Sequence, residues 1–198
     1  MSPSHSISQY YDDRSARYSQ SYRRCGWRSP ETQHQRFWAL THHFELNNAI
    51  VLDAGCGDGE FFSFTRSEFP HWRYVGIDLS PGMIAQARER FPEALFMEAD
   101  LRLFTGDYDY VVCSGAVNHQ TDNARNALLT ALTSLYTMSQ VATAITLLSN
   151  QSPKDERSDI FVYYDPCEVL ALAQTLTPYV DLNHTYAKND FCLTLFKR

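Results

Sequence analysis

The segment from Ala49 to Gly59 constrains this chain more than any other. Ala49, Ile50, Val51 and Leu52 form a short apolar run that ends in Asp53, and glycines at 55, 57 and 59 follow before a second apolar-rich stretch begins. A buried strand that feeds a tight turn and then a helix has this signature, and doubly wound sheets hold ligands at such a turn, on their carboxyl edge. The spacing differs from the dinucleotide loop G-x-G-x-x-G, whose third glycine would fall at position 60, where Glu60 stands. The pattern is instead D-x-G-x-G-x-G, with Asp53 before the turn and Asp58 inside it. Carboxylates repel a pyrophosphate and attract an ammonium or a sulfonium. The loop therefore points to a cationic ligand without phosphates.

Three further segments extend the pattern in order: Tyr74 to Ile84, Phe96 to Leu101 and Tyr108 to Gly115. Together with Asp53–Gly59 they resemble the motifs of the class I S-adenosylmethionine (SAM)-dependent methyltransferases, over roughly residues 48 to 198. The resemblance implies SAM as methyl donor and S-adenosylhomocysteine (SAH) as product. It puts the methionine half of the donor over Gly55, Gly57 and Gly59, with Asp53 near the ammonium. Asp78 closes the second strand about 20 residues after the loop, where ribose-binding carboxylates sit in such sheets. Its two oxygens suit the two ribose hydroxyls. Leu79 and Met83 suit the adenine faces, Asp100 resembles the carboxylate that accepts from the exocyclic amine, and the Leu101 amide would meet a ring nitrogen. Ser114 and Gly115 fall where the family lines the methyl exit.

Strand patterns fall near 49–53, 73–78, 94–98, 108–113, 141–148, 179–186 and 190–196, and helix patterns near 58–68, 81–91, 122–137 and 166–176. The alternation predicts an α/β fold. With the resemblance, the expected form is a Rossmann-like, seven-stranded, mostly parallel sheet with an antiparallel last strand and helices on both faces. Residues 1–46 read as an N-terminal helical cap within the same domain, and 47–198 as the methyltransferase domain. In the cap, the spacing of Tyr11, Tyr18 and Tyr22 predicts one shared helix face. Ser29 and Pro30 predict the start of a second helix, with Phe37, Trp38 and Leu40 on its apolar side.

Methyl transfer from a sulfonium depends first on alignment of the reacting atoms. His119, just beyond the fourth strand, is the candidate general base, with Asn118 beside it to orient an acceptor. Tyr18, and after it Tyr11, are candidates to close over the sulfonium, since aromatic faces attract cations. Arg36 is a candidate partner for the donor's carboxylate, and Tyr163 or Tyr164 for the acceptor wall. The five cysteines are scattered without a C-x-x-C pair, which argues for reduced thiols in a cytoplasm and no metal site. The Met1–Ser6 segment lacks the charged and apolar regions of a leader, and no apolar run is long enough for a membrane span. A net charge of -6 argues against nucleic acid and for a small-molecule or protein acceptor, of which a small molecule is the expectation; the chain is expected to be a monomer or homodimer. An RNA-modifying methyltransferase and a SAM-binding module without catalysis are the alternatives, and a nucleotide-dependent oxidoreductase is opposed by Glu60.

Overall fold

The computed structural model describes residues 3–198, with side chains described from Ile7 onward. Met1 and Ser2, which the cap and leader expectations include, lie outside the described residues. Three helices come first: α1 (Pro3–Arg17), α2 (Ser21–Arg24) and α3 (Pro30–Thr41). The chain then alternates through β1 (Ile50–Ala54), α4 (Glu60–Thr65), β2 (Arg73–Asp78), α5 (Pro81–Arg90), β3 (Leu95–Glu98), β4 (Tyr108–Ser114), α6 (Ala124–Met138), β5 (Ser139–Leu148), α7 (Pro166–Ala173), β6 (Val180–Asn183) and β7 (Asp190–Phe196). The seven strands form one sheet in the order β3-β2-β1-β4-β5-β7-β6. All neighbouring pairs are parallel except those involving β7, which runs against both β5 and β6. This is the Rossmann-like arrangement expected, with the order reversing between β1 and β4.

Period-two alternation along the strands divides the core between the two faces. Leu52, Ala54, Val111 and Cys113 pack with Leu128, Leu132 and Leu135 of α6 and Val169 and Leu172 of α7. Val51 and Val112 pack on the other face with Phe37 and Leu40 of α3, Phe61 of α4 and Ile84 of α5. Strict alternation puts Asp53 on that second face, after Val51 and at the end of β1. There the buried carboxylate accepts from Tyr74 Oη at 2.8 Å.

The helix starts follow ordinary capping chemistry. Ser29 caps α3 with Pro30 as its first residue, and Ser80 caps α5 by accepting from the Met83 amide at 3.0 Å. Two cap expectations fail. Helix α1 ends at Arg17 and α2 starts at Ser21, so Tyr11, Tyr18 and Tyr22 do not share a helix face. Trp38 is 57% exposed, while Phe37 and Leu40 are buried. A twelve-residue helix buries only one stripe, and Trp38 lies beyond the edge of it.

Candidate methyl-donor site

Four carboxylates converge near the β1 turn, and the structure uses them in two ways. Asp58 is fully buried and neutralised, with Arg24 Nη2 at 2.6 Å and Arg90 Nη1 at 2.9 Å. It also accepts from Ser21 Oγ at 2.7 Å. It is thus a staple that ties α2 to the loop, not the ligand-attracting charge its place in the loop suggests. Asp12 on α1 accepts from Ser80 Oγ at 2.5 Å and the Gly82 amide at 3.0 Å, docking α1 on the start of α5. Ser8 Oγ adds a bond to the Leu79 carbonyl at 3.0 Å.

Asp53 and Asp78 differ from Asp58. Among the described residues neither has an ion-pair partner. Asp78 accepts from the Gly57 amide and the Ser80 amide, both at 2.9 Å, so its carboxylate is held at the mouth of the turn. Burial raises the Asp78 pKa, against the pull of those amides. Burial also pushes Asp53 up to about 7, opposed by the Tyr74 hydroxyl and assisted by the Asp78 charge. Two adjacent carboxylates in a poorly hydrated recess lack a counter-charge, and a cation entering there would supply it.

Both line an inner cleft over the carboxyl ends of β1, β2 and β4. Gly55, Gly57, Leu79, Met83, Leu101, Ser114 and Gly115 line it as well, so the structure brings together most of the sequence-predicted donor residues. Gly55 is confined by its surroundings: its φ is +82°, and a Cβ there would stand 2.3 Å from Ala116 Cβ. Ser114 Oγ is buried without a hydrogen-bond partner among the described residues. An unpartnered hydroxyl, a glycine cradle and two unmatched carboxylates suit a ligand that brings donors and positive charge, as an amino acid ammonium, a ribose and a sulfonium do.

Several expected residues lie elsewhere. Gly59 is the left-handed N-cap of α4 and packs against Phe91 and Phe96 rather than lining the cleft. Asp100 is held by its neighbour Arg102, with Nε at 2.9 Å and Nη2 at 2.5 Å, and only Ala99 and Leu101 on either side of it line the cleft. Arg36 turns away to Asp190 at 2.8 Å and does not line the inner cleft. Tyr18 lies outside the cleft between the guanidinium groups of Arg14 and Arg17, at 5.0 and 5.3 Å from its ring.

Tyr11 holds the position expected of Tyr18. It lines the inner cleft and also an outer cleft that shares Cys25, Trp27 and Gly115 with the first. Its hydroxyl lies 3.0 Å from His119 Nε2. His119 is buried and lines neither cleft; it meets their walls through Tyr11 and through the ring of Phe161, 5.2 Å away between centroids. Burial lowers the His119 pKa to about 4 and raises that of Tyr11, so at neutral pH a neutral imidazole meets an intact phenol. Asn118 and Tyr163 line the outer cleft. Tyr164 points the other way, buried, with its hydroxyl donating to the Val117 carbonyl at 2.9 Å.

Comparison with known proteins gives a likeness in sequence and in fold. Residues 51–137 match the family model of the methyltransferase domain. That stretch is similar to a methyltransferase domain over somewhat less than half of the chain. Trans-aconitate 2-methyltransferase of Escherichia coli O1:K1 / APEC is 45% identical to it over 56 residues, 28% of this chain and 22% of that protein. The match thus spans about a fifth of the length of such curated relatives. In fold, the domain resembles the magnesium protoporphyrin IX methyltransferase of Synechocystis PCC 6803 with bound SAH, at TM-score 0.73 and 16% identity, covering 98% of this chain and 99% of that one. It also resembles the plantazolicin methyltransferase in complex with a triazolic desmethyl analogue and SAH, at TM-score 0.69 and 16% identity, covering 98% and 90%. Both of those structures hold SAH, and the lining of the inner cleft here suits a ligand of that chemistry.

Proposed function

We propose that this chain is a cytoplasmic SAM-dependent methyltransferase that moves a methyl group to a small-molecule acceptor by in-line displacement. The observation that carries the reading is the junction of the two clefts. Tyr11, Cys25, Trp27 and Gly115 border both, so a donor in one and an acceptor in the other would meet there. SAM supplies an electrophilic methyl carbon: its bond to sulfur breaks with the electron pair going to sulfur, and an acceptor lone pair forms the new bond.

The chain's own residues align, shield and neutralise. Asp53 and Asp78 match the positive charge of the donor, and Leu79, Met83 and Leu101 provide apolar walls for a base. Residues 1–46 act as a cap in this reading, bound down through Asp12 on α5 and Arg24 on Asp58. Tyr11 presents an electron-rich ring and a phenol oxygen at the junction, and both favour a sulfonium. His119 holds that phenol in place as a positioning residue. With its pKa at about 4 it is a weak base, which suits an acceptor that arrives with its lone pair free.

The test is turnover of methyl-labelled SAM by the purified chain with a panel of small carboxylic acids, phenols and amines, followed as SAH formation. Labelled small product is expected. Donor binding with no transfer across the panel would return the chain to a SAM-binding module, and transfer to RNA instead would overturn the small-molecule reading.

A further inference from the structure

The outer cleft differs from the inner one in charge. Asp53 and Asp78 line the inner cleft without a lysine or arginine among its lining residues, and its third carboxylate, Glu60, is paired with Arg90 Nη2 at 2.6 Å, whereas Arg28, Arg36 and Lys188 line the outer cleft with Glu156 as its carboxylate. Glu156 is already covered, by Arg28 Nη1 at 3.2 Å, Lys188 Nζ at 3.6 Å and Asn189 Nδ2 at 2.8 Å. The balance of the lining is positive although the whole chain carries -6.

Arg36 gives this charge a fixed address. Its Nε is held by Asp190 at 2.8 Å and its Nη1 by the Thr32 carbonyl at 2.5 Å, and its guanidinium carbon stands 4.2 Å from the centroid of the Trp27 ring. Asp190 is fully buried and does not line the cleft, and its other oxygen accepts from the Tyr186 hydroxyl. The counter-charge is thus buried and outside the cleft lining, while the guanidinium belongs to it. Among the described residues Arg36 Nη2 has no partner. A guanidinium ordered by the fold, with a spare donor and its face on an indole, is preorganised for an anion. Phe161 and Tyr163 supply an apolar wall beside it.

We propose, resting on the methyltransferase reading, that the outer cleft is the acceptor site and that it selects a small carboxylate anion, recognised by Arg36 with Arg28 and Lys188 at the rim. Donor and acceptor would then enter with opposite charges, each drawn to its own cleft and repelled from the other. A polyanion fits less well, because the cations line one concave pocket while the surface as a whole is negative.

The experiment titrates SAH-loaded protein with phenylacetate, phenylacetamide and phenethylammonium by calorimetry, and measures SAH affinity separately. Phenylacetate should bind about tenfold more tightly than the amide, with the ammonium weakest. The paired variant Arg36→Met with Asp190→Asn removes the guanidinium without stranding a buried carboxylate, and should erase the acid–amide difference. The rim variant Arg28→Gln with Lys188→Gln, which leaves the buried pair intact, should narrow it by about threefold. SAH affinity should stay within about twofold in both. Silence of all three compounds on SAH-loaded protein, equal binding of acid and amide, or preference for the ammonium would overturn the assignment. So would salt-sensitive binding of a short RNA in place of phenylacetate. Failure to bind SAH at all is a different result: it removes the methyltransferase reading, and this proposal with it.

Discussion

The two clefts meet at Tyr11 yet are built from opposite materials. The inner one sits on strand ends and turn backbone, where Asp78 is held by amides and Asp53 by a tyrosine hydroxyl; the outer one sits between the N-terminal helices and the β6–β7 end of the sheet, with cations held by carboxylates. The same contrast recurs among the inner carboxylates themselves. Asp58 has its two arginines and holds the fold together, while Asp53 and Asp78 have none and await a partner. A buried charge that is fully matched serves stability, and one left unmatched is a function carried at some cost to it.

That contrast is open to attack by mutation and by pH. The largest effect is expected at Asp58. Asp58→Ala strands Arg24 in a buried site, and urea unfolding should show a loss of about 3–5 kcal/mol. Asp78→Ala removes an unmatched carboxylate instead. Calorimetry should show SAH affinity down about a hundredfold, with a smaller cost to stability than Asp58→Ala. Tyr11→Phe, at the junction, should lower kcat about tenfold and change SAH affinity little, since it deletes one hydroxyl and its bond to His119.

The pH effect follows from Asp53. Folding raises its pKa to about 7 from an ordinary 3.8, so the donor-free protein holds a proton that the unfolded chain releases. The stability tied to that proton is full below the ordinary carboxylate range and is lost as pH rises through about 7. A cationic donor favours the ionised carboxylate, so SAM affinity should rise about tenfold between pH 6 and pH 8. The thermal shift on adding SAM should grow over the same interval, and Asp53→Asn should flatten both. Equal shifts at the two pH values would place the charge of the donor elsewhere. The smallest effect is expected at Trp38, where Trp38→Ala should change stability by about 0.5 kcal/mol or less.

The strand ladder and the donor-side glycines were legible in the sequence because each depends on local signals: period-two burial, turn glycines and caps at Ser29 and Ser80. Residues whose roles depend on what lies across space were not. Asp58 looked like part of the ligand field, and only the packing of α2 and α5 shows its arginines. Asp100 and Arg102 are two positions apart, but nothing in that spacing says their side chains close on each other. Tyr18 ranked ahead of Tyr11 by sequence, and the end of α1 at Arg17 separates them, leaving Tyr11 on the helix and lining both clefts. The Arg36–Asp190 pair joins residues 154 positions apart and left no trace in any one segment.

The account stands most directly on calorimetric titration of the full chain at pH 8 with SAM, SAH and NAD, repeated on Asp78→Ala. It predicts saturable binding of SAM and SAH, none of NAD, and SAM and SAH affinity down about a hundredfold in the variant. Binding of NAD, or SAM affinity in Asp78→Ala equal to that of the unaltered chain, would contradict it.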